Sequence, residues 1–362
     1  MAPNEVLSSM SALPTESKSS KGSVGGTRSQ AGDEYGVLSN PNIGSVVFGD
    51  YVFQTWYGNG AYFASSGDQE LGIDTIKSNA SSSRRKTPQA SSDGIWLAQL
   101  YVCEHCFKYS SDAQKMTLHR TLCPLKKPFP PLGKLVYSDT RAPYLIKQVR
   151  GYTHELFCQN LSLFGKLFLE DKSVYYNVEC FEFYILYGFD PEDEEISGSV
   201  LRKYFKPMGF FSREINSWDA DNNLACICIF PPYQRLHLGQ LLIEFSYALA
   251  SVTPHMARSG PEYPLSPYGR ISYLRFWAKK LASVITTDYA TKDKVTLVQL
   301  GNATGFRKED ILLALEYMEI LEEDPENGKV FLKVANVQEW CRKNHFDSTI
   351  HQQKLNPDCL LL

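Results

Sequence analysis

Residues Leu224 to Ala250 read LACICIFPPYQRLHLGQLLIEFSYALA, and the fold turns on them. The first seven are unbroken apolar, a length that suits a strand buried on both faces. Pro231 and Pro232 then stop either a ladder or a helix, so the chain turns there. Beyond the turn Leu241, Leu242, Phe245 and Leu249 recur at helical spacing, with Gln240, Glu244 and Ser246 mostly elsewhere on the wheel. A strand, a turn and the N-terminus of a helix together place several main-chain N–H groups around one point. Such a point attracts phosphate.

The wording of this unit is distinctive. Asn223-Leu-Ala-Cys-Ile, Pro231-Pro-Tyr-Gln-Arg and Leu241-Leu-Ile-Glu-Phe-Ser-Tyr resemble, nearly word for word, the acetyl-coenzyme A motif of the MYST histone acetyltransferases. The resemblance implies a mixed α/β fold: a GNAT-like central core that binds acetyl-CoA, an N-terminal Cys-Cys-His-Cys zinc-finger segment and a C-terminal winged-helix-like segment. It further implies a turn that grips the cofactor's pyrophosphate through main-chain amides, with Gln234, Arg235 and Gly239 at the family's positions. Ile227, Ile229, Leu236, His237, Leu238 and Gln240 complete the cofactor contacts expected from it. Where the family has Gln-Arg-Lys-Gly-Tyr-Gly-Lys, this chain has Gln234-Arg235-Leu236-His237-Leu238-Gly239-Gln240, with one glycine and two lysines lost. His237 puts a side chain where backbone normally approaches phosphate.

Composition sets outer bounds. The 362 residues are 43% hydrophobic and 13% aromatic, enough to fill the cores of two or three domains. No apolar run reaches the length of a membrane span, and the first twenty residues lack the apolar stretch of a secretion signal, so an intracellular protein is expected. The nine cysteines are an odd number scattered mostly through apolar segments, as reduced thiols are. A net charge of −3 argues against a general nucleic-acid binder and suits a basic peptide partner.

Residues 1 to about 44 are rich in Ser, Gly, Asn and Thr and read as a disordered tail. Val46 to Tyr57, β-branched and aromatic, reads as a strand-like run that opens the N-terminal segment of residues 45–137. A polar stretch over residues 65–93, with SNASSSRRKTPQASSDG at its centre, reads as a mobile loop. Next comes Cys103-x2-Cys106-x12-His119-x3-Cys123, which sets two thiolates on a tight knuckle against an imidazole and a thiolate at a helix end. Tetrahedral zinc takes that set, and four protein ligands leave no open position for catalysis. Phe107 and Leu118 are expected to form the finger's small apolar core.

The central core is expected over residues 138–254, built from the strand-like and helical pieces GKLVYSD, HELFCQNLSLFGKLFL and SVYYNVECFEFYILYGF. Lys172 matches the lysine that MYST proteins acetylate on themselves. The stretch DPEDEEISGSVLRKYFKPM after it looks inserted relative to the family, and its five acidic residues from Asp190 to Glu195 read as a solvated loop that can also meet a basic tail. In the C-terminal segment, residues 255–362, the resemblance assigns Glu262 of Pro-Glu-x-Pro-Leu-Ser as general base and Ser266 as a coenzyme A contact. Tyr268 to Trp277 reads as a helix that packs Ile271, Leu274 and Trp277. Two helices and a strand pair follow between Lys294 and Val334, with no basic stripe, which argues against sequence-specific DNA binding.

A histone acetyltransferase is therefore expected, with Glu262 and Cys226 as catalytic residues and acetyl-CoA and zinc as its small partners. Within the family the chain looks most like the fungal SAS (something about silencing) branch. That likeness implies a nuclear enzyme acting on the sixteenth-residue lysine of histone four, within a complex of non-catalytic subunits. The competing expectation, carried by His237, is a MYST-fold scaffold whose cofactor turn has decayed.

Overall fold

The computed structural model describes residues 37–38, 40–63, 97–139, 141–142, 144–169, 177–189, 204–215, 221–292, 294–325, 328, 330–349 and 353–362. The Ser-rich stretch of residues 65–93, Lys172 and the acidic run from Asp190 to Glu195 lie outside the described residues. Two compact units are present: the described residues up to 266 together with 353–362, and those within 267–352.

The larger unit begins with a four-stranded sheet of β1 (Ile43–Phe48), β2 (Tyr51–Gln54), β3 (Leu97–Val102) and β4 (Tyr109–Ser110). β1 starts inside the stretch whose composition reads as tail, and Asn42 and Ile43 are buried. The strand-like run from Val46 is thus a hairpin. Gly49 at φ 62° takes the left-handed turn between its two strands, which suits a residue without Cβ. Helix α1 (Ala113–Leu122) follows, its first turn capped by the Asp112 carboxylate, which accepts from the N–H groups of Gln114 and Lys115.

The centre is an antiparallel five-stranded sheet. Its members are β5 (Lys134–Asp139), β6 (Tyr144–Arg150), β7 (Phe181–Gly188), β8 (Lys206–Glu214) and, after the short β9 (Asn222–Leu224), β10 (Cys226–Ile229). Their spatial order is β10-β8-β7-β6-β5. Helix α2 (Glu155–Gly165) lies on the face that also meets the N-terminal sheet, where Phe48, Phe107, Phe164 and Phe230 share one aromatic cluster; Phe164 stands 4.9 Å from Phe48 and 5.0 Å from Phe230 between ring centroids. Helix α3 (Leu238–Val252) covers the other face through Phe245, against Tyr184 and Phe211. Of the stretch that looks inserted as far as Met208, Lys206 and Pro207 lie in the ladder of β8 with β7, where they pair with Gly188 and Tyr187.

Burial on both faces belongs to β7 and β8, inside the sheet, not to the Cys226 strand. Along β10 the burial alternates: Cys226, Cys228 and Phe230 are buried, while Ile227 and Ile229 are half-buried. The physical reason is position, since β10 is the last strand and an apolar run does not say where in a sheet it will lie.

The described chain of the larger unit continues through β11 (Gly260–Pro261), which pairs in parallel with β9. The smaller unit then holds α4 (Pro267–Thr287), α5 (Leu297–Thr304), α6 (Lys308–Met318), a hairpin of β12 (Leu321–Glu323) and β13 (Val330–Leu332), and α7 (Val334–Lys343). Two short helices followed by a hairpin are the expected winged-helix-like arrangement. α5 opens on a capping box formed by Thr296 and Gln299 and closes on Gly305 at φ 77°. In α4 Leu274 and Trp277 are buried as expected, but Ile271 is 47% exposed; Tyr273, Ala278 and Leu281 take the core positions instead. No helix among the described residues is long and apolar enough to cross a membrane.

Candidate functional site

The site grows out of the free edge of β10. In its ladder with β8, Cys228 stands opposite Phe210 and Cys226 opposite Ser212, and the Phe230 N–H donates to the Met208 carbonyl at 2.9 Å. Alternate residues of an antiparallel strand turn their main-chain groups to opposite sides, so those of Ile227 and Ile229 point to the unpaired edge. The Ile229 carbonyl is used there by the Gln234 side chain, at 3.0 Å.

Past Phe230, Pro231–Tyr233 form one 3-10 turn, and Tyr233 is buried against Tyr51. Arg235 and His237 then both adopt left-handed backbone, at φ 67° and φ 60°. His237 is the N-cap of α3 without any side-chain cap, and the first intrahelical bond runs from the Leu241 N–H to its carbonyl. The N–H groups of Leu238, Gly239 and Gln240 therefore precede the intrahelical ladder and face the turn. A Cβ built on Gly239 would meet only Ile229 Cγ1, at 3.8 Å. None of the described residues requires glycine there, and a side chain would fill the space beside the edge of β10 and the first N–H groups of α3. That cradle fits the pyrophosphate and pantetheine of coenzyme A. The side chain of His237 is exposed and leaves the main-chain donors in place. Gln240 turns its side-chain amide to Glu244 at 2.8 Å.

At the other end of β10, β11 brings in Glu262. Leu224 pairs with Pro261, and the Glu262 N–H donates to the Leu224 carbonyl at 2.8 Å, two residues before Cys226. Asn223 and Ser259, both fully buried, pin the two strands together through a 3.0 Å hydrogen bond. Cys226 is buried, whereas Glu262 and Ser266 are half-buried. The Glu262 main chain is thus held two residues before Cys226, at the foot of the strand that leads to the turn.

The four finger residues also meet. Their ligand atoms all lie within 4.8 Å of one another, with Cys106 Sγ 3.1 Å from His119 Nε2. The knuckle closes through Cys103 N–H to Lys108 O at 2.8 Å and Phe107 N–H to Cys103 O at 2.9 Å; His119 and Cys123 come from the end of α1. Cys106's hydrogen bond pulls the Cys103 thiol down to about 5, against the opposing effect of burial. The same contact pushes Cys106 up, and burial pushes Cys123 up. Three thiols around one point cannot all ionise unaided, and a divalent cation removes that conflict. The finger has no Phe107–Leu118 core: Leu118 is 63% exposed, and Phe107 reaches the main aromatic cluster. Met116 fills the space behind the ligands instead, packed with Cys103 and Cys123. Arg120 ties α1 to the rest of the unit, bridging buried Glu104 at 2.7 Å and Asp50 at 3.3 Å.

Comparison with known proteins gives the family. The profile of the MOZ/SAS family matches residues 130–360, which span the sheet, the turn and Glu262. The chain belongs to the MOZ/SAS family. It is similar to the histone acetyltransferase SAS2 of Saccharomyces cerevisiae, 42% identical over 304 residues that cover 83% of this chain and 81% of the yeast protein. The histone acetyltransferase MOF of Drosophila melanogaster is 34% identical over 223 residues, 62% of this chain and 24% of that protein. For the histone acetyltransferase mst2 of Schizosaccharomyces pombe the figures are 32% over 270 residues, 72% and 58%. This MOZ/SAS chain is accordingly a histone acetyltransferase enzyme, with acetyl-CoA as its substrate. The finger lies ahead of the matched span and rests on its own geometry.

Two features of this MOZ/SAS core were not legible as site features in the sequence. Glu244, on α3, is buried and accepts from the main-chain N–H groups of Lys354 and Leu355 at 2.8 and 2.7 Å, so the last ten residues strap α3 to the sheet. The strap continues with Asn356 N–H on the Tyr137 hydroxyl and Leu361 N–H on the Val136 carbonyl, at the far edge strand β5. The second feature is Ser212, which falls in the family-like stretch Gly209-Phe-Phe-Ser-Arg-Glu but reads there as one polar residue inside a strand.

Proposed function

We propose that acetyl-CoA lies along the free edge of β10, with its pyrophosphate on the N–H groups of Leu238, Gly239 and Gln240 and its thioester beside Cys226 and Glu262. One observation carries the reading. The four-residue strand β10 joins the Cys226–Glu262 corner to an open helix N-terminus, so one extended ligand can reach both. Ile227, Ile229, Gln234, Arg235, Leu236 and His237 line the path between, and Ser266 approaches from the Glu262 side. Zinc on Cys103, Cys106, His119 and Cys123 holds the finger, with no role in the chemistry.

The substrate lysine must lose its proton before its amine attacks the thioester. At a free pKa of ~10.4 only about one part in a thousand is unprotonated at neutral pH. Glu262 takes that proton as general base, and Cys226 lines the thioester pocket while the amine attacks directly. Cys226 as an acyl carrier is the alternative route. The target is the histone four tail at its sixteenth-residue lysine, in chromatin silencing within the nucleus, in a complex with non-catalytic subunits; similarity to the yeast SAS2 protein supports this. Lys172 is the site of self-acetylation.

The test uses the full chain with saturating acetyl-CoA and a histone four peptide. Glu262→Gln should cut turnover by roughly a hundredfold at neutral pH and recover in part at high pH, where the lysine deprotonates unaided. Cys226→Ala should retain measurable turnover. A dead Cys226→Ala that still folds and binds acetyl-CoA, beside a nearly normal Glu262→Gln, would show this mechanism to be wrong. A peptide with arginine at the sixteenth position should lose most of its acceptance of acetyl groups, and equal labelling would remove the site assignment.

A further inference from the structure

Ser212 lies on β8 directly opposite Cys226 on one side and Phe183 on the other. Directly opposed residues of a sheet share a face, so the Ser212 hydroxyl stands on the Cys226 side of the sheet, among Phe183 and Phe210. It is 1% exposed, and its Oγ has no hydrogen-bond partner among the described residues. Its main-chain carbonyl is used, accepting from the Ala225 N–H at 2.7 Å. A second orphaned acceptor, Asn223 Oδ1, is three residues before Cys226, on a side chain whose amide is already held by Ser259. The neighbouring charged pair is satisfied, with Arg213 on Glu182 at 2.8 Å.

A buried hydroxyl without a partner destabilises the folded chain, and an apolar side chain of the same size would be tolerated at least as well. Its place opposite Cys226 suits a partner that is absent from the free protein. Removing a donor from a site of this kind is costly only when charge develops there. We infer that Ser212 is the hydrogen-bond donor for the acetyl thioester's carbonyl oxygen. As the lysine nitrogen bonds to the carbonyl carbon, the C=O electron pair moves onto that oxygen and the lysine proton goes to Glu262. The pair then returns, the C–S bond breaks and the coenzyme leaves as its thiolate. Ser212 transfers no proton in this sequence; it stabilises the oxygen while it is negative. The inference rests on the placement of the thioester beside Cys226 and Glu262 proposed above.

The experiment is Ser212→Ala in the full chain, read in three ways. The expected result is an unchanged or raised Tm, an acetyl-CoA Kd by calorimetry within twofold of the parent, and a kcat lowered tenfold or more, beyond any change in KM. The opposite signs of stability and turnover separate a reacting-site donor from a packing residue, whose loss lowers both. A lowered Tm assigns the hydroxyl a structural partner and overturns the inference, whatever the turnover. So does an unchanged kcat, or a loss confined to acetyl-CoA affinity. Glu262→Gln and Cys226→Ala are measured alongside. If Glu262→Gln loses turnover and Ser212→Ala does not, this inference alone fails; if both remain normal, the placement of the reacting corner fails with it.

Discussion

His237 offers a quantitative test of the turn at the head of α3. It is the N-cap, at φ 60° and ψ 16°, exposed and without a side-chain cap. An L-residue in left-handed backbone costs about 1–2 kcal/mol. Glycine avoids that cost but gains roughly 0.5–1 kcal/mol of extra freedom in the unfolded chain. His237→Gly should therefore stabilise the chain by about 0.5 kcal/mol. His237→Ala keeps the left-handed strain and gives up the better tolerance of histidine for that backbone, so the gap between the glycine and alanine variants should be about 1 kcal/mol in favour of glycine. For a unit of this size that gap corresponds to about 2–4 °C in Tm. Thermal melts of the three full-length chains without ligand read it directly, and an alanine variant that melts at or above the glycine variant would refute the argument. Calorimetry with acetyl-CoA adds the functional half: His237→Gly should bind more tightly, because backbone can then approach the phosphates as it does over glycine. Equal or weaker binding would mean that the imidazole is accommodated, or that it donates to phosphate and strengthens the grip.

Elemental analysis should find one zinc per chain, and Cys123→Ala or a strong chelator should remove it and lower the melting temperature of the larger unit; well-folded protein without zinc would refute the metal assignment. Because the thiols must ionise to bind the metal, zinc affinity should fall as pH falls, with proton release on binding measurable in unbuffered solution. Glu244→Ala should leave the N–H groups of Lys354 and Leu355 without their acceptor and cost about 2–4 kcal/mol in a denaturant titration, while Glu244→Gln, which keeps an acceptor oxygen, should cost less than half as much. Equal costs for the two would mean that the strap is held by packing around Leu355 rather than by the carboxylate.

Much of this protein lies in short stretches whose chemistry is local, and the sequence alone determined those. The Cys103, Cys106, His119 and Cys123 spacing is one: a knuckle and a helix end bring four donors together wherever the finger docks. The proline turn and the helix behind it are another, because Pro231, Pro232 and the 3.6-residue period act over a few residues only. The resemblance carried by that unit also led to the family. Tertiary structure decided everything that depends on which side of an element finds a neighbour. The run from Leu224 to Phe230 is as apolar as β7, yet β7 lies mid-sheet and β10 at the edge, and only the edge leaves Ile227 and Ile229 with main-chain groups turned outward. Phe107 and Leu118 are equally apolar on paper; one entered the aromatic cluster and the other stayed in solvent, because α1 turns Met116 inward. Ile271 was turned out in the same way. Glu244 and the last ten residues meet across 110 positions, and Ser212 meets Cys226 only through the register of two strands. Such pairings follow from the packing free energy of the whole sheet, which no local window of sequence contains.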